Sequence, residues 1–499
     1  MDRIRIDKFM GGISAGERDR RVGVCLNIEE IDIFTNPNWI QPETIFGSEA
    51  GITRKIQAYD LAEGDTAYAY GQSADGDAEI WSLASASTTN PGTWSSVFES
   101  TNDVHPNADM KWHKWASGAD YLYYPTISAS TVTLRKLGDL VTYTETSVGT
   151  LTGVDGTGDR IKIVRAFGEL FVLQGNLIAN VADDGTFTNA AFTLPTDLTG
   201  VDMVIKGNTM YILCKFITGD SRSRIVTWDL AATKGPDDQI DIAMGGPQWI
   251  ANHNDTLRVC CAFNGIAKFY EVTSFAPVKT HELSDIETET NAQQISPANT
   301  VYIKDNILHF GLWRTDTSGM YSIGRTTEDS PLALVLGRRF DTSDYASHTP
   351  TAANAFGPNI FVSFDDNGTA DTRRIEGNNS PTRSSNSIYE SILIDFDDPE
   401  TIKDIHSIIV LSKIIPASTE IKVDFRVDNA ASYDSASLQT LTSTNDQTHN
   451  GGQADTFWFR EIKSVAGRLV QMRIRFTSSG TSRPQLYSVA LFSNSRSTI

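Results

Sequence analysis

Cysteine is nearly absent from this chain, and so is any long apolar run. Four cysteines among 499 residues, at 25, 214, 260 and 261, show no Cys-x-x-Cys spacing, which argues against a disulfide scaffold or a thiolate metal cage. The adjacent pair would point to opposite faces of a strand, so the four read as reduced thiols of a chain that folds in a cytoplasm. No segment reaches the ~20 apolar residues that a membrane-spanning helix needs. The N-terminus, Met1 to Asp7, alternates charge with isoleucine and carries no secretion signal. Basic residues are also in deficit. The 42 Lys and Arg against 62 Asp and Glu leave a net charge of −20, which disfavours sequence-independent binding to a phosphate backbone. Such a surface would still let DNA pass without sticking.

Catalytic signatures are missing as well. There is no Gly-x-Ser-x-Gly elbow, no Walker loop and no His-Glu-x-x-His. The eight histidines, at 105, 113, 253, 281, 309, 348, 406 and 449, are scattered, and His113 and His309 sit in alternating strands beside aromatics, as structural imidazoles do. Gly153 to Gly158 lacks the strand before and helix after that a dinucleotide loop requires, and reads as a connection. Three acid-rich stretches, Asp75 to Glu79, Asp183 to Gly185 and Asp365 to Asp371, hold the oxygen donors calcium uses but not the loop spacing. Asp, Asn and Gly are also what hairpin turns favour. The reading is of no metal, no cofactor and no catalytic residue, that is, not an enzyme.

What the chain does have is a rhythm. Near Ile56, Met110, Ile161, Met203, Trp249, Val301 and Ala355 an alternating strand begins, followed by a tight polar turn, a second strand and a third strand often built on an aromatic. In one copy Val204-Ile205 leads through Gly207-Asn208 into Met210 to Leu213; in another Val301 to Ile303 leads through Asp305-Asn306 into Ile307 to Phe310. Period-two alternation predicts strands with one buried face, and Gly, Asn or Asp between two such runs predicts a hairpin. The roughly 40–50-residue period is that of four-stranded propeller blades. Third strands such as Ile80 to Leu83, Thr133 to Leu137, Phe269 to Val272 and Met320 to Ile323 would place large rings in the widening wedge between neighbouring sheets.

The period changes after a polar, breaker-rich linker, Gly377 to Ser387. From 388 onward at least six longer strands occupy a stretch the size of a β-sandwich or jelly roll. In one of them Val470, Met472, Ile474 and Phe476 share a face, while Gln471, Arg473 and Arg475 share the other. Arg473 and Arg475 are the candidate partner-facing residues; the alternative is a solvated, edge-protecting face. The fold expected is all-β: a seven-bladed β-propeller over 53–384, preceded by a leader over 1–52 that supplies a closing strand, and followed by a jelly-roll-like β-sandwich over 385–499.

The two ends carry a resemblance. Phe9 to Ile13, then Val24 to Ile33 and Pro42, resembles the leader of propeller proteins from tailed-bacteriophage virions. Gly467 to Phe476 through Pro484 to Leu491 resembles the closing strands of the same class, which includes tail nozzle and hub proteins. The resemblance implies a structural nozzle, hub or tip component of a virion assembled in the host bacterial cytoplasm. It also implies a homo-oligomeric ring around the tail axis, contacts with other tail proteins, and DNA passing without specific binding. Two alternatives stand beside it. One is a receptor- or glycan-binding module of the same virion. The other is a propeller glycosidase, drawing its carboxylates from Asp60, Asp109 and Asp202 near the repeat openings.

Overall fold

The computed structural model describes the chain except for residues 1, 7–8, 10–11, 14–23, 37, 45–46, 49–50, 53, 90, 139–141, 155–157, 220, 231–237, 274–275, 285–294, 314–317, 340–347, 367–368, 376–382, 385, 397, 429, 444–447, 450–454 and 496–499. The basic run Arg18 to Arg21, most of the linker and part of the Asp365 to Asp371 turn thus lie outside the described residues. Among those described the architecture is all-β, and the only helical element is the 3₁₀ turn Ala298–Thr300.

Two compact units emerge, one of residues 46–318 with 340–379, the other of 1–45 with 319–339 and 380–499. These bounds differ from the expected 52 and 384. The leader belongs with the C-terminal strands, and the sixth repeat is divided, its hairpin Tyr302–Lys304 and Ile307–Leu312 in the first unit and Gly319–Gly324 with Ala333–Arg339 in the second. Pairing explains this. Val24–Glu29 hydrogen-bonds both to Ala333–Arg339 and to Ser387–Ser391, stitching leader, sixth repeat and C-terminal region into one sheet.

The repeat unit is propeller-like. First strands run Ile56–Leu61, Lys111–Lys114, Ile161–Ala166, Leu198–Lys206, Pro247–His253, Tyr302–Lys304 and His348–Phe356. The third, fourth and fifth repeats are each a four-stranded antiparallel meander, while the first two are fused by pairing of Asp103 with Ile127 and Val104 with Thr126. Of the turns between first and second strands, Phe167-Gly168 (φ 53° and 81°), Asn254-Asp255 (51° and 58°) and Asp305-Asn306 (52° and 60°) are two residues long and left-handed. Left-handed pairs match the twist of the strands they join, which is why Asn, Asp and Gly recur there.

Second strands depart from the one-face expectation. Ala67–Gln72, Glu169–Gln174, Thr256–Phe263 and Ile307–Leu312 are buried on both faces for most of their length. A sheet packed between two neighbours loses its wet side, so alternation fades where burial is greatest. Third-strand rings fill the packing as expected: Trp81, Trp228 and Phe269 are buried, and Trp228 stacks on Phe192 at 4.7 Å between centroids. The series also returns on itself. The Ile56 amide donates to Ser363 Oγ at 3.2 Å, Lys55 pairs with Asp365 at 3.1 Å, and Tyr59, Trp94, Phe356 and Phe361 form one core. The leader contributes the short strand Gly47–Ser48 at the edge of the last repeat, paired with Arg373 and Arg374.

In the second unit one sheet runs Asp2–Ile6, Leu486–Ser495, Lys403–Lys413, Asp455–Gly467, Thr448–His449. Another carries Ser387–Ser391, Val470–Thr477, Glu420–Val427 and Asp434–Thr442 beside Val24–Glu29. Their apolar positions are buried, Ile408, Val410 and Leu491 from one sheet, Val423, Phe425, Met472 and Ile474 from the other.

Candidate functional site

The three carboxylates read from the sequence are brought together. Asp60 sits in the first strand of the first repeat, Asp109 just before that of the second, and Asp202 in that of the fourth. Each accepts a backbone N–H from the first strand of a following repeat. Trp112 donates to Asp60 at 2.7 Å, Ile163 to Asp109 at 3.4 Å and Ile250 to Asp202 at 2.9 Å. An acid at this position therefore satisfies an amide that the neighbouring strand cannot pair within its own sheet.

The lysines between them were not singled out from the sequence. Lys111 Nζ lies 3.7 Å from Asp60 and 3.5 Å from Asp109, and Lys162 Nζ lies 3.2 Å from Asp109 and 4.0 Å from Asp202. The result is a ladder of alternating charge, with Arg165 joining at Asp60 (3.6 Å). The only signal in the sequence is positional: Lys111 opens the first strand of the second repeat and Lys162 is the second residue of that of the third, next to buried Met110 and Ile161. Neighbouring carboxylates share a lysine within 4.0 Å, so the oxygens that share it stand no more than about 7 Å apart.

One end of this region is closed. Asn299, in the 3₁₀ turn, donates to the carbonyls of Gln57 at 2.7 Å and Ala108 at 2.8 Å and accepts from Arg160, which also reaches the Gln248 carbonyl at 3.5 Å. Five repeats meet in this knot. Beside the ladder lies a cleft of about 390 Å³ whose walls include Lys111, Lys162, Arg165, Asp202, Asn252 and Tyr302. Cations reach the cleft while acids lie beneath them: Lys111, Lys162 and Arg165 side chains are 20, 17 and 39% exposed, those of Asp60, Asp109 and Asp202 only 7, 4 and 3%.

Two of the acids are driven apart in acidity. Burial pushes the Asp202 carboxyl above its ordinary value, against the pull of Lys162 and Arg160. Burial acts the same way on Asp109, but Lys111 and Lys162 outweigh it and hold that carboxyl below its ordinary value. Asp202 Oδ1 has no hydrogen-bond partner although it is buried.

The histidines of the region are structural. His113 Nε2–H donates to the Gly168 carbonyl at 3.2 Å and His253 Nε2–H to the Asn306 carbonyl at 2.7 Å, each clasping the hairpin of the following repeat. Lys304 does the same to Pro358 at 2.7 Å. Arg258 Nε donates to His253 Nδ1 at 3.2 Å, so a second proton on the ring would meet a guanidinium. Burial, with Arg258, holds His253 below its ordinary value of 6.5. The neutral ring belongs to the folded state, so its contribution is complete above the unfolded value and is lost as pH falls below it. Urea midpoints should therefore drop between about pH 7.5 and about pH 5.5, and the drop should shrink in His253→Gln, whose amide can still donate to Asn306. Equal midpoints at the two pH values would refute this assignment.

Arg473 and Arg475, expected to face a partner, are turned onto their own sheet. Both bind buried Asp424, Arg473 at 3.0 and 2.6 Å and Arg475 at 2.9 Å, and Arg473 lies 3.9 Å over the Tyr433 ring. The acid-rich stretches at 75 and 183 are hairpin turns, with Asp184 Oδ1 taking the Thr186 amide and Asp183 Oδ1 the Ala116 amide. Among the described residues no helix is long and apolar enough to cross a membrane.

No family model matches the chain, and no curated protein matches its sequence. Among solved structures it is similar to the exo-β-1,3-galactanase of Phanerochaete chrysosporium with galactose, at 10% identity over 91% of this chain and 100% of that one, TM-score 0.32. It is also similar to puromycin hydrolase, at 11% identity over 70% of this chain and 61% of that one, TM-score 0.43. A third is Raptor of Chaetomium thermophilum, at 8% identity over 68% and 30%, TM-score 0.43. The expectation that the chain is not an enzyme is corrected here, because a galactanase and a hydrolase stand among the structures it resembles. Similarity of this size assigns no activity to the chain.

Proposed function

We propose that the chain is a glycan-binding protein built as a seven-bladed propeller with an attached β-sandwich, and that the central cleft is its saccharide site. The observation that carries the reading is Asp202. Its Oδ1 is buried in the wall of a cleft of about 390 Å³, lacks a hydrogen-bond partner, and has Lys111, Lys162, Arg165 and Asn252 as neighbours in that wall. A pocket of that size with a few converging polar groups suits a small ligand, and a carboxyl beside amide and ammonium donors suits vicinal hydroxyls, which donate and accept at once. The virion setting is part of the proposal and rests on the resemblance of the two termini.

Titration calorimetry of the full chain against an oligosaccharide panel tests the reading. Binding is expected, and Asp202→Asn should weaken it about tenfold, the loss of roughly one good hydrogen bond to a charged group. A panel that gives no heat and no protection, or binding indifferent to Asp202→Asn, would overturn it. Hydrolysis in the same cleft is a second reading, favoured by the opposite displacement of the Asp202 and Asp109 acidities, the pattern by which one carboxyl stays protonated as an acid while its neighbour stays ionised. Reducing ends released by wild type and not by Asp202→Asn would support it.

A further inference from the structure

We infer that the saccharide taken by the central cleft is acidic, carrying a carboxylate and free hydroxyls on one ring; this rests on the cleft being a glycan site. The charged groups lining it are Lys111, Lys162, Arg165 and Asp202, three cations against one acid. Beneath them lie Asp60 and Asp109, so the acids of the ladder leave one cation in excess once Arg160 is counted with the other three. The two ammonium groups also hold their acids loosely. Their contacts of 3.2 to 4.0 Å exceed the ~2.7–2.9 Å of a fully formed charge-assisted hydrogen bond. Each ammonium has three donors, and at 20 and 17% exposure each reaches the cleft.

Ligand chemistry is narrowed from both sides. A bare anion would answer the cations but would press on Asp202, whose Oδ1 needs a donor. A neutral sugar would supply that donor but add no charge to answer the one cation left in excess of Asp60, Asp109 and Asp202. A uronic-acid residue does both, its carboxylate to the cations and a hydroxyl proton to Asp202. The chain's net charge of −20 does not decide the matter, because exposed charges beyond roughly 8–10 Å are screened at physiological salt.

The test is calorimetry of the full chain with three titrants: a uronic-acid trisaccharide, its neutral counterpart of the same linkage, and inorganic phosphate. The acidic trisaccharide should bind at least tenfold more tightly than the neutral one. Lys162→Met should remove most of that preference. Lys162 also neutralises Asp109 and Asp202, so Arg165→Gln, at the most exposed of the three cations, serves as the second variant and should cost the acidic ligand several-fold while sparing the neutral one. If the two trisaccharides bind alike and neither variant separates them, the glycan reading stands and this inference fails. If phosphate binds and neither sugar does, both fail.

Discussion

Replacing Asp109 with alanine should lower the free energy of unfolding by about 3–5 kcal/mol, the loss typical when one partner of a buried charge pair is removed. Asp109 is 3% exposed and is the only acid in the ladder that two lysines share, at 3.5 and 3.2 Å. Its carboxylate also accepts the Met110 and Ile163 amides. Alanine would leave two half-buried ammonium groups and two amides without it. Urea unfolding at neutral pH measures the effect, and a loss below about 1 kcal/mol would show that water reaches the ladder freely. The pH dependence has a fixed sign. The folded carboxyl titrates below its unfolded value, so its contribution is present above the unfolded value and disappears as pH falls through the folded one. The gap between wild type and Asp109→Ala should therefore close in acid. Adding Lys111→Met and Lys162→Met to Asp109→Ala should recover part of the loss at neutral pH, because well-packed apolar groups replace buried ions at little cost.

Trp249→Ala should cost a similar amount for a different reason. The indole is fully buried, packs on Phe310 at 5.2 Å and Phe269 at 6.2 Å, and donates to Ser296 Oγ at 2.9 Å. Truncation leaves a cavity and removes the donor from a buried hydroxyl, about 3–5 kcal/mol for a core Trp. Trp249→Phe should recover part of this by filling volume without restoring the hydrogen bond. Calorimetric unfolding is the measurement. The chain has two units, so the shift should be confined to the transition of the unit that contains residue 249, and an unmoved pair of transitions would contradict this packing account.

Much of the fold was legible because its signals are local. Gly207-Asn208, left-handed at Gly207, and Asp305-Asn306, left-handed at both residues, turn where the sequence predicts, and six of the seven expected openings lie within about five residues of a strand start. The seventh, Ala355, falls near the end of His348–Phe356, because the alternating residues there continue a strand begun earlier. What local signals cannot carry is which distant strands pair. Nothing in Gly47-Ser48 names Arg373 and Arg374 as partners, and nothing in Val24–Glu29 foretells that it pairs with Ala333–Arg339 of the sixth repeat. The candidate site was half legible for the same reason. Asp60, Asp109 and Asp202 attract notice as acids at strand starts, whereas Lys111 and Lys162 resemble ordinary surface lysines until the neighbouring repeat places an acid on each side. Arg473 and Arg475 misled in the opposite direction, since their common partner Asp424 lies on a different strand.

The Gly47–Ser48 edge strand sets an order of events in time. It leaves the ribosome early, yet the segment it latches is made more than three hundred residues later, as the Lys55–Asp365 pair with its separation of 310 residues also attests. Until then the first sheets have no final neighbour and their apolar flanks stay wet, and contacts of such long range form slowly. A nascent chain of this design is most exposed to misassociation just before its last repeat emerges.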